Sequence, residues 1–220
     1  MIRAVCFDLD DTLLDCSGAA RAAFFDALGP GADFALWLSI AETHYARFSR
    51  GEVGFARMHL ERMTQFLRLS GQPGDPAELE QRRAARLVER YAIFPDARPC
   101  LDTLRSAGLA LGVITNGDAA EQRRKLATVG LADRFDAVVI SGEVGAAKPD
   151  AAIFAHACGL LGARPDEALH VGDRLDLDAR AAAAAGLTGV WLDRRGLAAG
   201  DEPVAVVSTL AELPAVVAAS

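Results

Sequence analysis

Three carboxylates fall within four positions near the start of the chain: Asp8, Asp10 and Asp11, in the run Phe7-Asp8-Leu9-Asp10-Asp11-Thr12-Leu13 that continues the apolar stretch Ala4-Val5-Cys6. Acids crowded at the end of a buried strand repel one another and cost desolvation. A sequence that keeps them there has a cation, a proton or a substrate to offset the charge. Matching chemistry recurs far downstream. Thr115-Asn116-Gly117-Asp118 brings a hydroxyl, an amide and backbone donors, Lys148-Pro149-Asp150 an ammonium, and Gly172-Asp173 is followed by Asp176 and Asp178. Several carboxylates with few basic neighbours suit a hard cation, and Mg²⁺ takes oxygen ligands from one or two carboxylates together with phosphate and water. Thr115, the backbone amides around Asn116 and Gly117, and Lys148 can hold an anion, with lysine acting on phosphate as a compact point charge. A cation site beside an anion cradle describes phosphoryl chemistry. Within it one carboxylate can act as nucleophile and form an aspartyl-phosphate. A second, two positions on, can protonate the leaving oxygen and then deprotonate water. Phosphoryl transfer asks mainly for in-line placement and charge neutralisation, and this set supplies both.

These residues act together only if the chain delivers them to one place. Short β-rich apolar runs occur at 3–7, 109–114, 136–140, 168–172, 188–192 and 204–207, with helical patterns at 97–107, 119–129, 150–161 and 176–185. That alternation predicts βαβ units and a parallel sheet, and runs apolar on both faces fit a sheet covered by helices on each side. In such sheets ligands gather at the carboxyl ends of the strands, where all the residues named above fall. Pro149 suits the first position of the helix that follows it. Residues 16–94 differ. Trp37, Ile40, Ala41, His44 and Phe48, then Phe55, Met58, Met63, Phe66 and Leu67, recur at helical spacing, and Gly29-Pro30-Gly31, Gly51 and Gly71-Gln72-Pro73-Gly74 punctuate them as turns. The fold class predicted is α/β: a Rossmann-like, doubly wound parallel sheet core from residues 1–15 and 95–220, with a bundle of about four helices, residues 16–94, inserted after the first strand on linkers near 14–18 and 92–97.

Composition narrows the function. The 220 residues carry a formal net charge of −7, which argues against a nucleic-acid or anionic-membrane binder, while a few local cations suffice for a small anionic substrate. Cys6, Cys16, Cys100 and Cys158 form no CxxC pair or Cys/His metal spacing, and read as reduced structural thiols of a cytoplasmic protein. The N-terminal apolar stretch is cut by Asp8, which predicts a strand and not a signal peptide. No run approaches the ~18 apolar residues of a membrane span.

In order along the chain, Asp8-Leu9-Asp10-Asp11-Thr12-Leu13, Thr115-Asn116-Gly117, Lys148-Pro149-Asp150, and Gly172-Asp173 with Asp178 resemble the four motifs of the haloacid dehalogenase-like (HAD) hydrolase superfamily. The inserted bundle resembles the superfamily's smaller, C1-type α-helical cap. The resemblance implies a Mg²⁺-dependent phosphatase acting on a small phosphorylated metabolite held between core and cap. Asp8 then resembles the phosphorylated nucleophile and Asp10 the general acid/base. Thr115, Asn116 and Lys148 resemble the phosphate-binding residues. The metal would take Asp8, the main-chain carbonyl of Asp10 and Asp173, with Asp178 supporting it. Many relatives carry Asn before that last acid and a small polar residue at position 174. This chain has Leu177 and Arg174, so Asp176 competes with Asp178 for the supporting role.

Plainer readings fit other residues. Asp11 reads as a loop hydrogen-bond acceptor and Thr12 as a residue that orders the turn. Asn116 before a glycine is also turn chemistry. His44, His59, His156 and His170 show no metal spacing. Arg57, Arg62, Arg82, Arg83 and Arg86 read as solvated helix faces, and Trp37 with the Phe/Met stripe as bundle core. Two other chemistries use the same scaffold. A 2-haloacid dehalogenase needs neither a leaving-group acid nor Mg²⁺, so Asp10 and Asp173 argue against it. A phosphomutase needs a phospho-enzyme that survives while the substrate reorients. A non-catalytic binding module is disfavoured by the intact Asp8, Asp10, Lys148 and Asp173. Both a monomer and a homodimer are compatible with the sequence.

Overall fold

The structure, a computed structural model, describes residues 1–220 and divides into two compact units: Met1–Asp15 with Ala92–Ser220, and Cys16–Tyr91. Residues 92–94 join the first unit because Ile93 pairs with Leu14 in an antiparallel bridge, Asp15 N–H donates to the Ala92 carbonyl and Phe94 N–H to that of Leu13.

The first unit is built on six parallel strands: β1 (Ala4–Phe7), β2 (Ala110–Thr115), β3 (Ala137–Ile140), β4 (Ala168–Gly172), β5 (Thr188–Leu192) and β6 (Ala205–Val207), in the order β3-β2-β1-β4-β5-β6. That is the Rossmann order. Its central strand β1 is wholly buried and registers Phe7 against Val113 on one side and Val171 on the other. The helices of this unit are α5 (Ala97–Ser106), α6 (Ala119–Thr128), α7 (Ser141–Val144), α8 (Ala151–Leu161), α9 (Ala181–Ala184) and α10 (Leu213–Ala219). Ile153, Phe154, Ala157 and Cys158 of α8 pack on Ala4, Cys6, Ile114 and Val139 of the sheet. Two local expectations change. Pro149 does not open α8: Asp150 is the N-cap, accepting from Ala152 N–H at 2.9 Å, and the Lys148–Pro149 peptide is cis. The pattern at 176–185 is not one helix, because Leu175–Arg180 winds as a π-helix before α9.

The second unit has four helices: α1 (Cys16–Leu28), α2 (Phe34–Ser49), α3 (Phe55–Ser70) and α4 (Pro76–Arg90). Asp33 caps α2 through Leu36 N–H, and Asp75 caps α4 through Glu78 N–H, each at 2.9 Å. Gly71, at φ +68°, ends α3 in the left-handed conformation that favours glycine. Phe24, Trp37 and Phe66 meet with ring centroids 5.2–5.6 Å apart, at the heart of a core that includes Ile40, Met63 and Leu67. Arg62 and Arg83 depart from their expected place on solvated faces. Arg83 is 3% exposed, donates to Glu80 at 2.5 and 2.9 Å and lies 5.6 Å from the Trp37 ring, while the Arg62 guanidinium stands 4.2 Å over the same ring. An indole face and one carboxylate let α2, α3 and α4 bury both guanidinium groups. No helix of the chain is long and apolar enough to cross a membrane.

Candidate active site

The chain runs outward from β1 through β2 to β3, then returns to place β4 on the opposite flank of β1. The order reverses between β1 and β4, and the crevice at the carboxyl ends of strands lies where such a reversal occurs. Asp8 and Asp10 follow β1, and Asp173 follows β4.

Lysine and acids meet there. Lys148 Nζ donates to Asp8 Oδ1 at 2.6 Å and to Asp178 Oδ1 at 2.5 Å, in pairs 140 and 30 positions apart along the chain. One ligand oxygen each from Asp8, Asp173 and Asp178 lies within 4.8 Å of the others, an oxygen-rich group of the kind that suits a hard cation. The surroundings hold them firmly. Gly172 lets Asp178 lie against the end of β4, since a Cβ at that position would sit 2.2 Å from Asp178 Cγ. The Asp178 carboxylate also accepts from Arg174 N–H at 3.0 Å, and His170 Nε2 lies 3.0 Å from its Oδ1. Asp173 is fixed through its backbone: its N–H donates to Thr12 Oγ1, and its carbonyl accepts from Trp191 Nε1, both at 3.0 Å. Asp11, at φ +59°, bends the chain after β1, with its N–H donated to Leu14.

Charge is distributed unevenly over this cluster. Burial pushes the Asp8 carboxyl up to about 8, against the pull of Lys148 and with help from Asp178 and Asp10. Burial likewise lifts Asp173 to about 7, reinforced by Asp178 and Asp11. Burial opposes ionisation of Asp178 too, yet Lys148 and His170 hold it below the usual carboxylate range. Burial works against the charge on Lys148, but Asp8 and Asp178 outweigh it and keep the ammonium protonated. Burial lowers His170, partly countered by Asp178. Lys148 thus balances Asp178, while Asp8 and Asp173 take up full negative charge only as pH rises past about 8 and 7.

The remaining expected residues fall nearby in different ways. Thr115, at the end of β2, is 1% exposed, and its hydroxyl accepts from Gln122 Nε2 at 2.6 Å. The Asn116 side chain is engaged by Lys148 itself, donating to the Lys148 carbonyl at 2.9 Å and accepting from the Lys148 N–H at 2.8 Å. Asn116 thus fixes the backbone that carries the ammonium. Gly117 N–H donates to Ser141 Oγ at 2.9 Å. Asp176 does not join the cluster: it forms a forked pair with Arg174 at 3.1 and 3.0 Å, both side chains more than half exposed, while Asp178 is 1% exposed. Three residues of the neighbourhood carry no strong site signal in the sequence. His170 hides in an apolar strand. Gln122 and Lys125 look like an ordinary polar helix face, and only their three-residue spacing soon after Thr115-Asn116-Gly117 could have marked them.

This fold and these side chains define a hydrolase class, and the family model of the haloacid dehalogenase-like hydrolases matches residues 2–186: the chain belongs to that family. Curated relatives that it matches include phosphatases of small phosphorylated metabolites, and it is a phosphoric monoester hydrolase. Over 207 residues it is 36% identical to the glyceraldehyde 3-phosphate phosphatase of Methanopyrus kandleri, spanning 92% of this chain and 88% of that one. Among solved structures, the L-2-haloacid dehalogenase from Xanthobacter autotrophicus with chloropropionic acid covalently bound superposes with a TM-score of 0.77 at 26% identity, covering 99% of each chain. A HAD-hydrolase from Bacillus subtilis bound to magnesium reaches a TM-score of 0.80 at 24% identity over 98% of each chain, which speaks for the fold alone.

Proposed function

We propose that the protein is a Mg²⁺-dependent phosphatase of small phosphate monoesters, a sugar phosphate, nucleotide or phosphoglycolate-like metabolite, working through an aspartyl-phosphate on Asp8. The observation that carries this is the bridge of Lys148 Nζ between Asp8 and Asp178, with Asp173 within ligand distance of both acids. Asp8, Asp173, Asp178 and the main-chain carbonyl of Asp10 would hold Mg²⁺. When bound, Mg²⁺ supplies positive charge that neutralises the phosphoryl oxygens.

The chain's own residues do the rest. Lys148 and the Thr115 hydroxyl bind the phosphoryl group, and Asn116 holds the Lys148 backbone in register. Asp8 attacks phosphorus in line as the bond to the leaving oxygen breaks, and Asp10 gives that oxygen its proton. Asp10, now a carboxylate, takes a proton from water as the water attacks phosphorus and releases Asp8. The position of Asp10, two residues beyond the nucleophile, supports this reading over a 2-haloacid dehalogenase, which expels halide and needs no acid there.

The test is phosphate release across a panel of sugar phosphates, nucleotides and phosphoglycolate, with Mg²⁺ and with chelator. Asp8→Asn should cut kcat by at least about 10³-fold with the thermal midpoint unchanged or raised. Retained turnover in that variant would remove Asp8 from the role.

A further inference from the structure

Helix α6 begins just after the Thr115-Asn116-Gly117 turn, capped by Asp118, whose carboxylate accepts from Glu121 N–H at 3.1 Å. Two of its residues, Gln122 and Lys125, are 1% and 8% exposed and lie three positions apart, on one face of the helix. Lys125 Nζ reaches both carboxylate oxygens of Asp10, at 2.8 and 2.7 Å. Gln122 Nε2 donates to Thr115 Oγ1 at 2.6 Å and to Asp10 Oδ2 at 3.2 Å. Gly117, at φ +151°, leaves room for this amide: a Cβ there would lie 3.2 Å from Gln122 Cδ.

The consequences are geometric. A carboxyl group contacted by an ammonium at both oxygens and by an amide at one of them takes its orientation from α6 as well as from its own loop. A hydroxyl that accepts from Gln122 keeps its O–H proton for a different acceptor. Burying a lysine costs desolvation that an apolar residue in its place would avoid, so packing alone does not account for Lys125.

We propose that Gln122 and Lys125 are a positioning pair: Lys125 aims Asp10 at the leaving-group oxygen, and Gln122 ties that aim to the Thr115 hydroxyl, turning its proton toward the phosphoryl group. Neither touches the reacting atoms. The inference rests on Asp10 being the acid/base.

The experiment compares the Mg²⁺-loaded protein with Lys125→Met, Lys125→Arg, Gln122→Leu and Asp10→Asn on two esters. Phenyl phosphate has a poor leaving group that needs a well-placed acid, whereas 4-nitrophenyl phosphate departs with little help. Lys125→Met should lower kcat on phenyl phosphate on the order of 10- to 100-fold, part of the full contribution of a general acid. On 4-nitrophenyl phosphate the loss should be roughly tenfold smaller, with KM moved less than kcat on both. Lys125→Arg should recover part of the loss, and Gln122→Leu should show the same selectivity more weakly. Equal losses on the two esters, or none on either, overturn the pair. If Lys125→Met does not fold, Gln122→Leu and Lys125→Arg decide by the same criterion. Asp10→Asn separates the levels. If it discriminates between the esters and the α6 variants do not, the pair alone fails; if it does not discriminate, the acid/base reading fails and takes the pair with it.

Discussion

In the helical unit the buried charges come from neighbouring helices: Arg62, Arg83 and His59 gather around Glu80 and the face of Trp37. In the α/β unit they come from strand ends far apart in sequence, with Lys148 set against Asp8 and Asp178 and with Asp173 close by. Two guanidinium groups share one carboxylate in the first cluster, and the aromatic face takes up the excess positive charge. Three carboxylates share one ammonium in the second, with His170 beside Asp178, and burial and the neighbouring acids raise Asp8 and Asp173. On the proposed function, the second cluster stays open to a cation and an anion, whereas the first closes on itself.

Removing the central cation of each cluster tests that difference at its largest. Lys148→Met strands Asp8 and Asp178 and should destabilise the protein by about 3–5 kcal/mol at pH 8, with phosphatase activity lost. Arg83→Met leaves Arg62 near Glu80 and should cost about half as much, since one cation still faces that carboxylate. Denaturant unfolding at matched pH checks both, and equal costs would break the comparison.

A middle-sized effect concerns pH. Without metal, burial holds Asp8 near 8 and Asp173 near 7, above the ordinary 3.8 of an exposed carboxyl. The folded state therefore binds more protons than the unfolded chain across that window. The stability these two groups give is full below their unfolded value and is lost as pH rises through their folded values. Asp178 has the opposite sign, but its lowered value places its effect in strong acid. The thermal midpoint of chelator-treated protein should fall on the order of 5 °C between about pH 5.5 and 8, and millimolar Mg²⁺ should flatten the decline. A midpoint indifferent to both pH and Mg²⁺ would close the site to a cation. The smallest effect belongs to Asp176→Asn, which breaks an exposed pair with Arg174 and should change stability by less than about 0.5 kcal/mol and kcat by less than about twofold. A metal-dependent loss of kcat in that variant would reopen the choice between Asp176 and Asp178.

The sequence makes some of this legible and hides the rest for physical reasons. The strands were readable because sheets covered on both faces need continuous apolar runs, and the acids were readable because they interrupt those runs. The bundle was readable from the spacing of Trp37, Ile40 and His44. The bond between Asn116 and the Lys148 backbone was not, because it joins loops 32 positions apart. Neither was the burial of Arg83, since an arginine over an indole face looks, along a helix, like one in water. Lys125 was hidden in the same way: its partner lies 115 positions away, so no local pattern announces it.

Strand β1 pairs only with β2 and β4, whose partner residues begin at Ala110 and Ala168. On the ribosome, at ~5–20 residues per second, this apolar tetrapeptide waits on the order of ten seconds for its second neighbour. The intervening four-helix segment, Cys16–Tyr91, holds every residue of the Phe24, Trp37 and Phe66 core. That core can form while the strand that carries Asp8 is still unpaired. Asp8 is thus synthesised about 160 positions before the strand that brings Asp173 to it, and the nascent chain has no Asp173 beside Asp8 until β4 has docked.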